Sequence, residues 1–194
     1  MKMDVKKMVT MAMLASVSIL LMYLVRFPIF PAAPFLEYDM ADVPILIGTF
    51  LFGPVSGLVL TIIVSIIQAM TVSASSTWIG AVMHIFATGS FVLVAGGIYH
   101  KIKTRKSAVL SLILGSLAMT LAMIPLNLIF TVRFLGAPRE VVLAMLLPTI
   151  IPFNLIKAAA NSIITFSVYK TVARVLRLQI AEKKNQEASP TYPA

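Results

Sequence analysis

Apolar residues run along this chain in blocks of roughly 20, the length that crosses a hydrocarbon core as a helix. Short clusters of charge, proline or glycine separate the blocks. Residues 8–27 form the first span, too long for a signal-peptide core and without a clear cleavage site. Residues 28–39 follow on the other side, too apolar for an ordinary solvated loop and restrained by Pro28, Pro31 and Pro34. A short second span, residues 41–52, ends at a tight Gly53-Pro54 turn, and residues 55–70 make the third. A Ser/Thr-rich stretch, residues 71–77, leads into Trp78, a residue suited to the membrane interface, and the fourth span covers residues 79–99. After the basic loop 100–106, the fifth span runs over residues 108–130 with an interruption at Pro125. Residues 141–176 are too many for one straight span; Pro148 and Pro152 divide them into a short first piece and a final helix from about Pro152. The pattern predicts an all-α integral membrane protein of six transmembrane helices in one bundle. That domain covers residues 1–180, and residues 181–194 form a polar, disordered tail with no assigned function.

Composition agrees with one membrane domain rather than a soluble core with an anchor. Hydrophobic residues make up 59% and charged residues 12%, about half the charge of a typical soluble domain. Cysteine is absent, which removes disulfides and thiolate metal sites. A net charge of +9 raises the question of nucleic acid, and the distribution answers it. Lys2, Lys6, Lys7, Lys101, Lys103, Arg105, Lys106, Lys170, Arg174, Arg177, Lys183 and Lys184 fall on one side of a six-span arrangement. Arg26, Arg133 and Arg139 fall on the other. This is the positive-inside pattern, with both termini cytoplasmic, the basic residues serving as orientation signals and lipid-headgroup contacts rather than as a nucleic-acid footprint.

The catalytic inventory is poor. The carboxylates are Asp4, Glu37, Asp39, Asp42, Glu140, Glu182 and Glu187, none clearly in mid-membrane, and His84 and His100 are isolated. No spacing suggests a metal, and no glycine-rich phosphate loop would let the chain use ATP by itself. An enzyme is not expected. His84 reads as a satisfied interior histidine rather than a metal ligand.

Polar residues inside the spans carry more information. A lysine near a helix centre costs about 2.5–3.5 kcal/mol on insertion scales and usually persists by facing a partner inside the bundle. Asn154, Lys157 and Asn161 follow an i, i+3, i+7 spacing, so one helix face carries two amides and an ammonium. Asn127 follows Pro125 near the outer end of the fifth span. Amides donate and accept while lysine only donates, a set that suits a neutral planar ligand edged with carbonyls and ring nitrogens. The same residues also fit helix bridging by the amides with Lys157 snorkelling outward. Residues 35–42 concentrate three carboxylates around Tyr38, as a lid beside such a pocket or as a solvated connection. Ala12 and Ser16 form a small-x-x-x-small pair, with Ala15 and Ser18 on adjoining faces. That pair allows close approach by a helix of the same subunit or of another membrane protein.

Taken together, the six spans, the small-residue first helix and two motifs resemble a known family. The motifs are Phe35-Leu36-Glu37-Tyr38-Asp39-Met40-Ala41-Asp42-Val43-Pro44-Ile45-Leu46-Ile47-Gly48, with Phe52-Gly53-Pro54 after it, and Pro152-Phe153-Asn154-Leu155-Ile156-Lys157. They resemble the substrate-binding S components of energy-coupling factor transporters over residues 8–176, above all the riboflavin-specific members. The resemblance implies a multi-pass subunit in a prokaryotic cell membrane that captures a vitamin at the outer face. It also implies two sets of partners, a transmembrane coupling (T) component and two cytoplasmic ABC ATPases, which supply the energy. Riboflavin enters as transported ligand, with no cofactor. By the same resemblance, Asn127, Asn154 and Lys157 match flavin-ring contacts, and the loop through Ala32, Ala33, Phe35, Leu36 and Tyr38 closes over the ligand. Ala12 and Ser16 match the contact with the coupling protein. One departure stands out. Riboflavin members often carry a lysine and a histidine four residues apart in the third span, then a glycine-rich loop. Here Ser65-Ile66-Ile67-Gln68 and Ser73-Ala74-Ser75-Ser76-Thr77-Trp78 stand instead. The substrate thus stays open between riboflavin and another planar heterocycle. A membrane assembly subunit without a ligand, and a solitary proton- or sodium-coupled carrier, are the readings outside the family.

Overall fold

The computed structural model describes residues 5–72 and 77–188. Its first helix, α1 (Val5–Leu24), turns Met11, Ala15, Ser18 and Met22 inward and leaves Ala12, Met13, Ser16 and Leu20 on its outer face. The helix stops short of the expected residue 27. Residues Arg26–Pro28 instead form β1, because Pro28 can neither donate to a helical turn nor let Phe27 take the α conformation easily. Strand β1 pairs antiparallel with β2 (Glu37–Asp39), with Arg26 opposite Asp39 and Pro28 opposite Glu37. The arm between the strands is not a solvated loop: Ala33 and Leu36 are buried against Val142, Leu146, Ile150 and Phe153.

Helix α2 (Asp42–Phe52) sits at the centre of the bundle. At 11 residues it is only about 16 Å long, and its residues from Asp42 to Phe50 are all buried. Gly53 ends it at φ +92°, a conformation costly for any residue with a Cβ, and Pro54 begins α3 (Pro54–Met70) at once. Helix α4 (Thr77–Lys101) and helix α5 (Arg105–Leu126) return through a short basic connection, where Thr104 caps α5 by accepting from the Ser107 N–H.

Two helices contain π-turns where proline removes a donor. Helix α5 passes through Pro125 and continues by a π-turn, Asn127–Thr131, into α6 (Val132–Leu135), so the expected interruption is a widened turn and not a break. Gly136 ends this rod at φ +61°. Helix α7 (Arg139–Met145) likewise passes through a π-turn, Leu146–Ile150, containing Pro148, into α8 (Ile151–Ala188). The expected division of the last block is therefore present, as a change of helical register. Helix α8 also takes in residues 181–188, the first part of the expected tail. Ala, Glu, Lys and Gln there are good helix formers. Residues 189–194 of the expected tail lie outside the described residues, as do residues 73–76 of the Ser/Thr-rich stretch.

The result is all-helical apart from the two-stranded ribbon. Four helical stretches, 5–24, 78–101, 105–135 and 139–175, are long and apolar enough to cross a membrane, and α2 and α3 are shorter apolar helices. The core between them is built from Ile45, Leu46, Phe50, Leu60, Val64, Phe91, Val92 and Met119. The start of α1, the α2–α3 turn and the end of α4 meet at one end of the bundle. There Lys7 lies over the Phe52 ring, Gly53 faces the His100 ring, and Phe50, Tyr99 and Tyr169 pack together. The β-ribbon lies at the other end. Trp78, at the start of α4, is exposed and meets Phe130 edge-on.

Candidate functional site

Beneath the ribbon, the helices enclose a cavity of about 630 Å³, within the range of small-molecule sites. Its walls come from the ribbon and its arm (Arg26, Pro34, Phe35, Leu36, Glu37, Asp39), the end of α3 (Gln68, Val72), α4 (Ile79, Gly80, Met83, His84, Ala87), α5 with its π-turn (Met119, Met123, Asn127, Thr131), Phe134, and α8 (Phe153, Asn154, Lys157).

The π-turns position the two amides. Asn127 is the first residue of one π-turn, and its Nδ2 donates to the Met123 carbonyl (2.8 Å) while its Oδ1 accepts from Thr131 Oγ1 (2.8 Å). Asn154 donates from Nδ2 to the carbonyl of Ile150, the last residue of the other π-turn (2.8 Å). Each amide is thus held by one N–H, which leaves its second N–H and remaining lone pairs for a ligand. One helical turn beyond Asn154, Lys157 Nζ donates to Asp39 Oδ2 at 2.7 Å. Side chains from facing elements, not a snorkel path to the surface, satisfy this lysine.

That ion pair belongs to a larger buried network. Asp39 Oδ1 accepts from the Ala41 N–H (3.0 Å). Asn161 donates to the Asp39 carbonyl (3.4 Å) and to Asp42 Oδ2 (3.2 Å), and its Oδ1 accepts from the Tyr38 hydroxyl (3.0 Å). Asp42 Oδ1 accepts from Thr88 Oγ1 (2.8 Å) and from His84 Nε2 (3.0 Å), while His84 Nδ1 meets Ser65 Oγ (2.7 Å). The network joins the ribbon, α2, α3, α4 and α8. Such groups stay buried only because nearly every donor and acceptor finds a partner. Nearer the mouth, the Arg26 guanidinium grips the Glu37 carboxylate through Nε (2.7 Å) and Nη2, and its Nη1 donates to the Val72 carbonyl (2.6 Å).

The expected site residues are partly brought together. Asn127, Asn154, Lys157, Phe35 and Leu36 line one cavity. Ala32 is exposed off its wall, Ala33 is buried in the apolar cluster under the arm, and Tyr38 is buried against Asn161 and the Phe27 ring. These three do not line the cavity; strand alternation sends Tyr38 to the face opposite Glu37 and Asp39. A correction concerns charge. Asp39 (5% exposed) and Asp42 (1%) are interior groups, although the sequence leaves them in an outer connection. The signal was available: Asp42 starts a helix whose next eight residues have no polar stripe, the mark of a helix buried on every side. His84 is the satisfied interior histidine expected. Among the described residues no group of three or more His, Cys, Asp or Glu could hold a metal ion. Met83, Met119 and Met123 carry no sequence signal that separates them from lipid-facing or core residues, whereas Gln68 belongs to the third-span stretch where the sequence departs from the riboflavin members.

Ala12 and Ser16 stand on the exposed face of α1, and Ser16 Oγ donates to the Ala12 carbonyl (3.0 Å). The hydroxyl is thereby folded onto its own backbone, and the face is smooth and accessible. Ala15 and Ser18 instead point inward, where Ser18 Oγ donates to the Ala41 carbonyl (2.9 Å).

Comparison with known proteins gives concordant results. The family described as "ECF transporter, substrate-specific component" matches residues 6–169. The riboflavin transporter FmnP of Bacillus subtilis (strain 168) is 32% identical over 171 residues, covering 84% of this chain and 89% of the relative. The riboflavin transporter RibU of Staphylococcus aureus (strain TCH60) is 29% identical over 181 residues, covering 89% and 93%. A solved S component of a bacterial ECF transporter superposes with a TM-score of 0.76 at 31% identity, over 88% of this chain and 97% of that one.

Proposed function

The chain belongs to the substrate-specific components of ECF transporters, and from that premise we propose that it captures riboflavin at the outer face of a prokaryotic cell membrane for ATP-driven import. The observation that carries this reading is the convergence of Asn127, Asn154 and Lys157 on one cavity. Each amide, half-satisfied by its own helix, has donor and acceptor capacity left for the carbonyl-and-imine edge of an isoalloxazine ring. Lys157, held charged by Asp39, supplies a donor to a ring carbonyl without becoming an unpaired buried cation. Phe35, Phe134 and Phe153 with the methionines offer faces for the ring.

The six helical rods cross the membrane, in this reading, with both termini cytoplasmic. Lys6, Lys7, Lys101, Lys103, Arg105 and Lys106 then lie at the cytoplasmic end, as the positive-inside rule requires, and the ribbon and cavity lie at the outer end. The smooth face at Ala12 and Ser16 docks the transmembrane coupling component, and two ABC ATPases drive the cycle, since the chain carries no phosphate-binding loop. Proteoliposomes carrying this subunit alone, or with a coupling module, test the assignment. Uptake of labelled riboflavin only with the module and ATP is the expected result. Uptake by the subunit alone, driven by a proton or sodium gradient, would overturn it.

A further inference from the structure

Ser65, His84 and Asp42, on three different helices, form a buried chain of contacts whose distances fix how many hydrogens it holds. Ser65 Oγ lies 2.6 Å from the Thr61 carbonyl and 2.7 Å from His84 Nδ1. Both are hydrogen-bond lengths, yet a hydroxyl carries one hydrogen and a carbonyl none. If Ser65 donates to the carbonyl, Nδ1 must donate to Ser65. At the other edge of the ring, Nε2 lies 3.0 Å from Asp42 Oδ1, which also accepts from Thr88 Oγ1 at 2.8 Å. This contact needs a hydrogen too, on the ring or on the carboxyl. All these bonds form together only when the Asp42–His84 pair holds two hydrogens, as imidazolium with carboxylate or as neutral ring with protonated carboxyl. A carboxylate beside a neutral ring holds only one.

The surrounding charges call for the same count. The pair is faced by Ser65 and Thr61 from α3, Thr88 from α4, Asn161 and Lys157 from α8, and Asp39 and the Tyr38 hydroxyl from β2, while Arg26 and Glu37 nearer the mouth are joined to one another. Lys157 and Asp39 cancel. Asp42, 1% exposed, is then an uncompensated buried charge unless the pair carries its second hydrogen. We propose that the Asp42–His84 pair is a proton-binding site, loaded at neutral pH, that locks the ribbon end of α2 to α3 and α4. When the proton leaves, Ser65 must turn its hydrogen to Nδ1. Its oxygen then faces the Thr61 carbonyl lone pair to lone pair, and Asp42 keeps a charge that no cation offsets, so the contacts holding α2, α3 and α4 together weaken. His84 lines the cavity, which gives the proton a polar route to water without a passage through the apolar core. The ligand of this site is a proton and not the transported molecule, and the site stands whether or not that molecule is a flavin.

Imidazole nitrogen NMR of the purified full-length protein, labelled with ¹⁵N-histidine, tests this. The chain has two histidines, and His100→Gln assigns the signals. At neutral pH the His84 Nδ1 should carry a hydrogen, and the second should appear on Nε2 or, in the infrared, as a protonated carboxyl. A bare Nδ1 would overturn the proposal. The pH is then raised until Nδ1 loses its hydrogen, with amide hydrogen exchange followed in parallel. Across that step the amides at the start of α2 should exchange about tenfold faster, after division by the intrinsic rise with pH. Unchanged protection of α2 across the step would overturn the lock. Asp42→Asn keeps the shape, donates from its amide to a bare Nε2 and leaves the ring with the Nδ1 hydrogen alone. In this variant α2 protection should not depend on the protonation step, and a dependence equal to that of the wild type would again overturn the lock. Where the variant fails to fold, the wild-type titration decides.

Discussion

Replacing Lys157 by methionine separates the ligand role of this lysine from its role in the fold. Its Nζ lies 2.7 Å from Asp39 Oδ2, with side-chain exposures of 10% and 7%. Removing one member of a buried pair leaves the other charge uncompensated, at a cost of about 3–5 kcal/mol. Asp39 keeps one partner in the Ala41 N–H, so the lower end, about 3 kcal/mol, is expected for Lys157→Met. Asp39→Asn strands the ammonium and should cost about the same. Removing both charges together leaves no stranded ion, and the double substitution should lose only about 2 kcal/mol, a coupling of about 4 kcal/mol. Denaturant unfolding in mixed micelles, followed by circular dichroism, measures all four corners of this cycle. Flavin titration of the same proteins gives the second readout: both variants lacking Lys157 should bind weakly, and the double variant should stay weak although it is more stable than either single variant. Additive losses in stability would refute the buried-pair argument. Full affinity in the double variant would refute the ligand role of Lys157.

Other consequences follow from the same geometry. His84→Ala removes the Nε2 donor from Asp42 and leaves that carboxylate with Thr88 and Asn161, so thermal denaturation should show a loss of about 1–3 kcal/mol. Ala12→Leu changes only the outer face of α1; it should spare flavin binding and abolish uptake in the reconstituted transporter, and loss of binding would mean that this face packs within its own bundle. Burial, opposed by the nearby Lys157 charge and reinforced by Asp39 and Asp42, raises the Tyr38 phenol above its ordinary value. A raised value favours the protonated folded state, so the stability held at neutral pH should decline as the pH rises above about 10, where the unfolded chain ionises first. Tyr38→Phe should remove that alkaline decline, together with the hydrogen bond to Asn161.

Much of the architecture was legible because bilayer-length apolar blocks carry the strongest pattern a sequence offers. The polar face of Asn154, Lys157 and Asn161 was legible too, since amides and an ammonium at helical spacing inside such a block demand an interior partner. Those partners were hidden. Asp39 and Asp42 meet Lys157 and Asn161 from about 120 residues away in sequence, across a ribbon and a short helix that no local pattern brings together. The π-turns at Asn127–Thr131 and Leu146–Ile150 were visible only as prolines, which signal a disturbance but not its geometry. Tyr38 shows the limit of motif reasoning most plainly. It sits among residues that reach the cavity, yet strand alternation turns it to the network beneath.

The central claim, that Asn127, Asn154 and Lys157 form a flavin site, is tested most directly by titrating the detergent-purified protein with riboflavin while following flavin fluorescence and quenching of Trp78. Saturable one-to-one binding in the nanomolar range, lost on Lys157→Met and weakened about tenfold or more by Asn127→Ala or Asn154→Ala, is the predicted result. Folded protein that binds no flavin, or binds it equally well without these three side chains, would contradict it.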